Sequence, residues 1–105
     1  MREIPETDWK MLSRLKPLAL DRFCQRVLSQ IGVVASDAKS AHERYLAIFA
    51  LVKKRDHELA NCFDDLRRSN AFLRLAAMRA FDLITDEEFA GFSEGTQSVV
   101  NLLSG

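Results

Sequence analysis

Little in this chain bends or staples a backbone. Its 105 residues include four Gly and two Pro, too few for an all-β protein, which uses turn residues every few positions. Two cysteines, Cys24 and Cys62, cannot build the disulfide framework of a small secreted domain. No apolar run approaches the ~20 residues that a membrane span requires. The string Met1-Arg2-Glu3-Ile4-Pro5-Glu6 lacks the apolar segment of a secretory signal, so the expectation is a cytoplasmic protein. Neither sign of charge prevails, fifteen basic residues balancing fifteen acidic ones. What is present is 48% apolar and 29% charged residues, the composition of a soluble globular chain. The length suits one domain covering residues 1–105.

Helical periodicity runs through most of it. From Pro17 onward, Leu20, Phe23, Cys24, Val27, Ile31 and Val34 recur at the spacing of one helix face. Pro17 suits a first helical turn, and a shorter helix from Thr7 or Asp8 precedes it with Trp9, Leu12 and Leu15 inward. Pro17 either separates the two helices or kinks a single one. Residues 35–39 read as a loop, and Ser40-Ala41-His42-Glu43 is a capping box. The helix it opens is expected to span 41–68, about 42 Å. Its stripe of Tyr45, Phe49, Leu59, Phe63 and Leu66 is apolar along most of that length.

A break is expected at Arg67-Arg68-Ser69-Asn70, with Ser69 or Asn70 as the next N-cap; a helix continuous through Asn70 is the alternative. Phe72, Leu73, Leu75, Ala76, Ala77, Phe81 and Ile84 then form another apolar face. Thr85-Asp86-Glu87-Glu88 is a second capping box, with Ile84 and Phe89 placed as a hydrophobic staple. Gly91 ends that short helix and Ser93 can cap a last one. The expected architecture is all-α: one compact domain of four to six helices. Two long helices, 18–34 and 41–68, form an antiparallel, hairpin-like core.

The chemistry-bearing residues do not assemble into a familiar site. His57 and Cys62 are five apart, a poor spacing for ligands on one helix face, and the Glu-x-x-His of di-iron bundles is absent. Cys24 sits within an apolar stripe, where a thiol is a small hydrophobe. No nucleophile elbow, phosphate loop or dinucleotide fingerprint occurs. Counting back from Glu88 as the last ligand of a calcium loop puts Ala77, Arg79 and Phe81 where carboxylates are required. No catalytic, cofactor-binding or metal-binding residue is therefore assigned.

Charge is more informative by region. Residues 1–55 hold eleven basic and six acidic residues; residues 56–105 hold four and nine. Arg22, Arg26, Lys53, Lys54 and Arg55 form a candidate basic patch that could meet a phosphate backbone. The run is short, and Asp56 and Glu58 follow at once, so nucleic acid ranks behind a protein partner. Arg67 and Arg68 find helical partners in Asp64 and Asp65. The leading expectation is a non-catalytic interaction protein: a homodimer, adaptor or regulator. A helix longer than the ~33 Å body expected of a sphere this size leaves apolar residues to be covered. The opposed charges of the two halves favour an antiparallel twofold pairing. An enzyme with dispersed site residues ranks third.

Overall fold

In a computed structural model describing residues 3–104, the chain is all-helical. Met1 and Arg2, part of the amino-terminal string read above, lie outside the described residues, as does Gly105. Five α-helices follow one another: α1 (Glu6–Ala35), α2 (Ala41–Phe63), α3 (Ala71–Ala80), α4 (Asp86–Ala90) and α5 (Glu94–Ser104). A 3-10 turn, Arg68–Asn70, leads into α3. The molecule measures 51 × 24 × 24 Å, a rod rather than the sphere assumed from length.

α1 resolves the ambiguity at Pro17 in favour of one helix. It runs unbroken for 30 residues, about 45 Å at the ordinary helical rise. Proline here removes the amide that would bond the Ser13 carbonyl, but Pro17 is exposed, so water can satisfy that oxygen. Leu12, Ala19 and Phe23 are buried along one side, with Trp9, Leu15 and Leu20 packed beside them.

The helix expected over 41–68 is corrected to Ala41–Phe63, 23 residues. Asp64 turns extended and Asp65 takes a left-handed φ of 53°, a conformation that Asp tolerates better than most residues. With the helix ended, the expected i, i+3 and i, i+4 pairs do not form. Arg67 instead holds Asp65 at 2.8 Å, and Arg68 pairs with Glu6 of α1. Arg74 Nη1 donates to the Asn61 carbonyl at 2.8 Å, placing a cation at the C-terminal end of α2, where the helix dipole favours one. At the other end, Glu43 N donates to Ser40 Oγ at 3.1 Å, as the capping box requires. The reciprocal bond differs: the Ser40 hydroxyl donates to the Glu43 carboxylate at 2.9 Å.

α3, α4 and α5 form a body around the first two-thirds of α1. α3 packs on α5 and α2, and α2 packs along α1. The Thr85 capping box closes as its spacing requires: Glu88 N donates to Thr85 Oγ1 at 3.0 Å, and Thr85 N to Glu88 Oε1 at 2.9 Å. Ile84 and Phe89 are both buried. Leu73, expected on the apolar face of α3, is exposed. The core is Leu12, Ala19, Phe23, Cys62, Phe63, Phe72, Leu75, Met78, Leu83, Ile84, Phe89, Phe92 and Val100 with their neighbours. All of these residues lie at one end of the rod, in α1 before Cys24 or in the chain after Asn61.

Candidate functional site

Two groups of residues were candidates on sequence grounds, the basic patch and the apolar stripe. Most of the basic patch is engaged within the chain. Arg22 donates to both oxygens of Glu88, at 2.7 and 2.9 Å, and to the Leu83 carbonyl at 2.8 Å. Arg26 reaches the carbonyls of Phe81 and Asp82 at 2.8 and 2.6 Å. Arg79 takes the next carbonyl, Ile84, at 2.9 Å. Three guanidinium groups thus bond four successive carbonyls, Phe81 to Ile84, of the tight α3–α4 turn, in which Asp82 adopts a φ of 57°. Planar forks with five donors suit that task, and lysines would not reproduce it.

These contacts perturb the ionisation of the pair. Arg22 is raised above its ordinary value, first by its hydrogen bond to Glu88. The Glu88 carboxyl is lowered from 4.5 to about 2, chiefly by the Arg22 bond, with Thr85 adding to it against a smaller desolvation effect. Arg55, on α2, is bonded to Glu58 at 2.6 Å and to Gln30 of α1 at 3.0 Å. Arg22, Arg26 and Arg55 do line one shallow depression with Gln25, Ser29 and Gln30. Lys53 and Lys54 are exposed and form no ion pair within 4.0 Å among the described residues.

A buried carboxylate that sequence reasoning overlooked serves the same structural purpose at the other end of the body. Asp8 accepts from Ser93 N at 3.0 Å, Ser93 Oγ at 2.6 Å and Thr96 Oγ1 at 2.6 Å. Ser93 Oγ in turn accepts from Thr96 N at 3.4 Å, so Asp8 secures the capping serine of α5 and anchors the last helix to the first. Burial works to raise its pKa, but the bonds from Ser93 and Thr96 outweigh burial and leave it lowered. Desolvation pushes the Cys62 thiol up to about 11, which suits a packed residue rather than a nucleophile. No cluster of three or more His, Cys, Asp or Glu residues with metal-site geometry occurs among the described residues.

The apolar stripe splits in two. Phe63 is 5% exposed and Leu59 and Leu66 are half-buried, packed at the base of α2. Tyr45 and Phe49 are 64% and 61% exposed. α3 packs over the base of the stripe and leaves its outer half open. From Cys24 to Asn61 no residue is fully buried, so the end of α1 and most of α2 form a two-helix arm. Leu28, Val33, Leu46 and Val52 add to its exposed apolar surface. Residues 27–36 and 45–52 carry no charge at all, so an uncharged band surrounds the middle of this arm. On one side, Cys24, Val27 and Leu28 of α1 face Val52, Asp56 and Leu59 of α2 across a groove of about 240 Å³.

The spacing along α2 explains the groove. Arg44, Ile48, Leu51, Arg55, Glu58 and Cys62 recur at alternating steps of four and three and are half-buried or buried. This seam faces α1. An adjacent seam with the same alternation comprises His42, Tyr45, Phe49, Val52, Asp56, Leu59 and Phe63. Its last two members are covered by the body; its first five are exposed. A helix with two heptad seams is patterned for two neighbours, and here the second neighbour is present only at the base. α1 repeats the arrangement: Leu20, Phe23, Val27, Gln30 and Val34 follow the alternation along one seam, Cys24, Leu28, Ile31 and Ala35 along the other.

The chain matches no family model, no characterised protein and no solved structure. No described helix is long and apolar enough to cross a membrane.

Proposed function

We propose that this protein is a non-catalytic interaction module that acts by self-association, with the arm of α1 and α2 as its contact surface. The observation that carries this reading is the half-covered second seam of α2. Four large apolar side chains stand exposed: Leu28 and Val52 line one groove, and Tyr45 and Phe49 continue the seam of Val52 along α2. Burying a large side chain is worth ~1.5–3 kcal/mol. Single exposed leucines are ordinary on a protein surface, whereas a patterned, contiguous set marks an interaction site. A second copy offers the same uncharged band, so the two surfaces meet without stranding a charge in the middle. The unpaired thiols of Cys24 and Cys62 suit a reducing, cytoplasmic setting.

Nucleic-acid binding through the basic patch ranks second and is weakened by the engagement of Arg22, Arg26 and Arg55 within the fold. Catalysis ranks third: three sheltered carboxylates, Asp8, Glu58 and Glu88, are committed to hydrogen bonds at a helix end and to ion pairs. Light scattering after gel filtration tests the leading reading. A mass near twice 11.9 kDa is expected at ~50 μM, a concentration that populates a micromolar complex. Phe49→Glu should return the mass to that of one chain with helicity unchanged. A wild-type chain that stays monomeric at that concentration, at low and moderate salt, removes the reading.

A further inference from the structure

The open seam of α2 also fixes how a second copy would lie, an inference that rests on the self-association reading and deepens it. Its exposed members are His42, Tyr45, Phe49, Val52 and Asp56. The two polar ones are placed symmetrically, seven residues before and seven after Phe49, about 10 Å to either side along the helix. We propose that two copies pair with their α2 helices antiparallel about a twofold axis at Phe49, so that His42 of each copy meets Asp56 of the other.

Three observations converge on this register. The first is charge complementarity: within one chain, neither the His42 nor the Asp56 side chain makes an ion pair among the described residues, and the twofold supplies both partners at once. A lone carboxylate in an apolar seam is costly, and a paired one specifies register. The second is the fit along the axis. A partner α2 spanning residues 41–63 would lie level with residues 57 back to 35 of the first copy. It ends where the body begins, since Leu59 and Phe63 are already packed at the base. A register shifted toward the base would set the partner helix against Leu59 and Phe63, which the core already engages. The third is the matching seam on α1: its base, Cys24 and Leu28, borders the same groove as Val52 and Asp56, so each hairpin presents two helices and the pair closes as a four-helix bundle. A twofold contact is self-complementary by construction.

Charge exchange tests the register apart from the association itself. Asp56→Arg sets a cation against the partner's His42, and His42→Glu sets a carboxylate against the partner's Asp56. Both positions are exposed, so circular dichroism should report unchanged helicity. The dimer dissociation constant, measured by sedimentation equilibrium at pH 6.0, where an ordinary imidazole is largely protonated, is expected to rise at least tenfold for each single variant. The double variant restores opposite charges across the twofold and should return to within about threefold of wild type. A wild-type dimer whose single variants bind normally, or whose double variant stays weak, overturns the register and leaves self-association standing. A wild-type chain that never dimerises overturns both.

Discussion

Glu88→Gln breaks the bidentate ion pair that clamps α4 to α1. Glutamine keeps the length of the side chain and an oxygen able to accept from Thr85 N and Arg22 Nη1, while it removes the charge and the second oxygen that accepts from Arg22 Nη2. The Glu88 carboxyl is held at about 2 rather than 4.5, and each unit corresponds to ~1.4 kcal/mol. The bound on its contribution near neutral pH is therefore about 3 kcal/mol. Glu88 and Arg22 side chains keep 21% and 27% of their exposure, so solvent screening reduces the expected loss to about 1–2 kcal/mol. For a domain of this size ~1 kcal/mol moves the melting temperature by roughly 4–8 °C, which predicts a drop of about 5–10 °C at pH 7 and fixed protein concentration. A carboxyl lowered on folding stabilises fully above its unfolded value and loses that effect as pH falls toward its folded one. The gap between wild type and variant should thus narrow from about pH 4.5 downward, with less than half of it left at pH 3. Urea unfolding followed by circular dichroism at pH 7, 5, 4 and 3 reads it directly. Equal stability at pH 7, or a gap that persists undiminished at pH 3, refutes the argument.

Pro17→Ala should stabilise the chain, by up to ~3 kcal/mol, because it restores the missing amide of a helix that is already continuous; a fall in melting temperature would mean that α1 does break there. Asp8→Ala should cost about 1–3 kcal/mol by leaving Ser93 N, Ser93 Oγ and Thr96 Oγ1 without their shared acceptor, with Asp8→Asn milder, both measured by urea midpoint. With a thiol reagent at pH 8, half-buried Cys24 should react in the native state, while Cys62 reacts only as fast as the protein opens. Two equally fast thiols would contradict the packing of Cys62.

The helical class, the capping box at Thr85, the staple of Ile84 with Phe89 and the last helix after Ser93 were all legible in the sequence, because each rests on contacts within five residues. The errors fall where distant groups decide. α2 stops at Phe63 rather than 68 although no Gly or Pro marks the place; Arg74 from α3 takes the Asn61 carbonyl, and Arg68 pairs with Glu6 sixty-two positions away. Pro17 looks like a helix start because a penalty of this kind is visible locally, whereas the core contacts of Leu12 and Ala19 that hold both sides in line are not. Arg22 and Arg26 read as a patch since their acceptors are mostly backbone carbonyls, which leave no trace in residue identity. The apolar stripe was legible, but a single buried face was assumed for it. The alternating steps of four and three that separate two seams on α2 were there to be counted, and Asp56 lies on one of them.

That arm has a consequence for how this chain can vary. Residues 24–61 bury nothing completely, while the residues that secure the fold lie before and after them. Substitutions on exposed surface ordinarily change stability by less than about 0.5 kcal/mol. The open seam can therefore be rewritten, one apolar or charged position at a time, with folding scarcely affected. Recognition and foldability are inherited from different stretches of the same helix, and a change of partner need not pass through an unfolded ancestor.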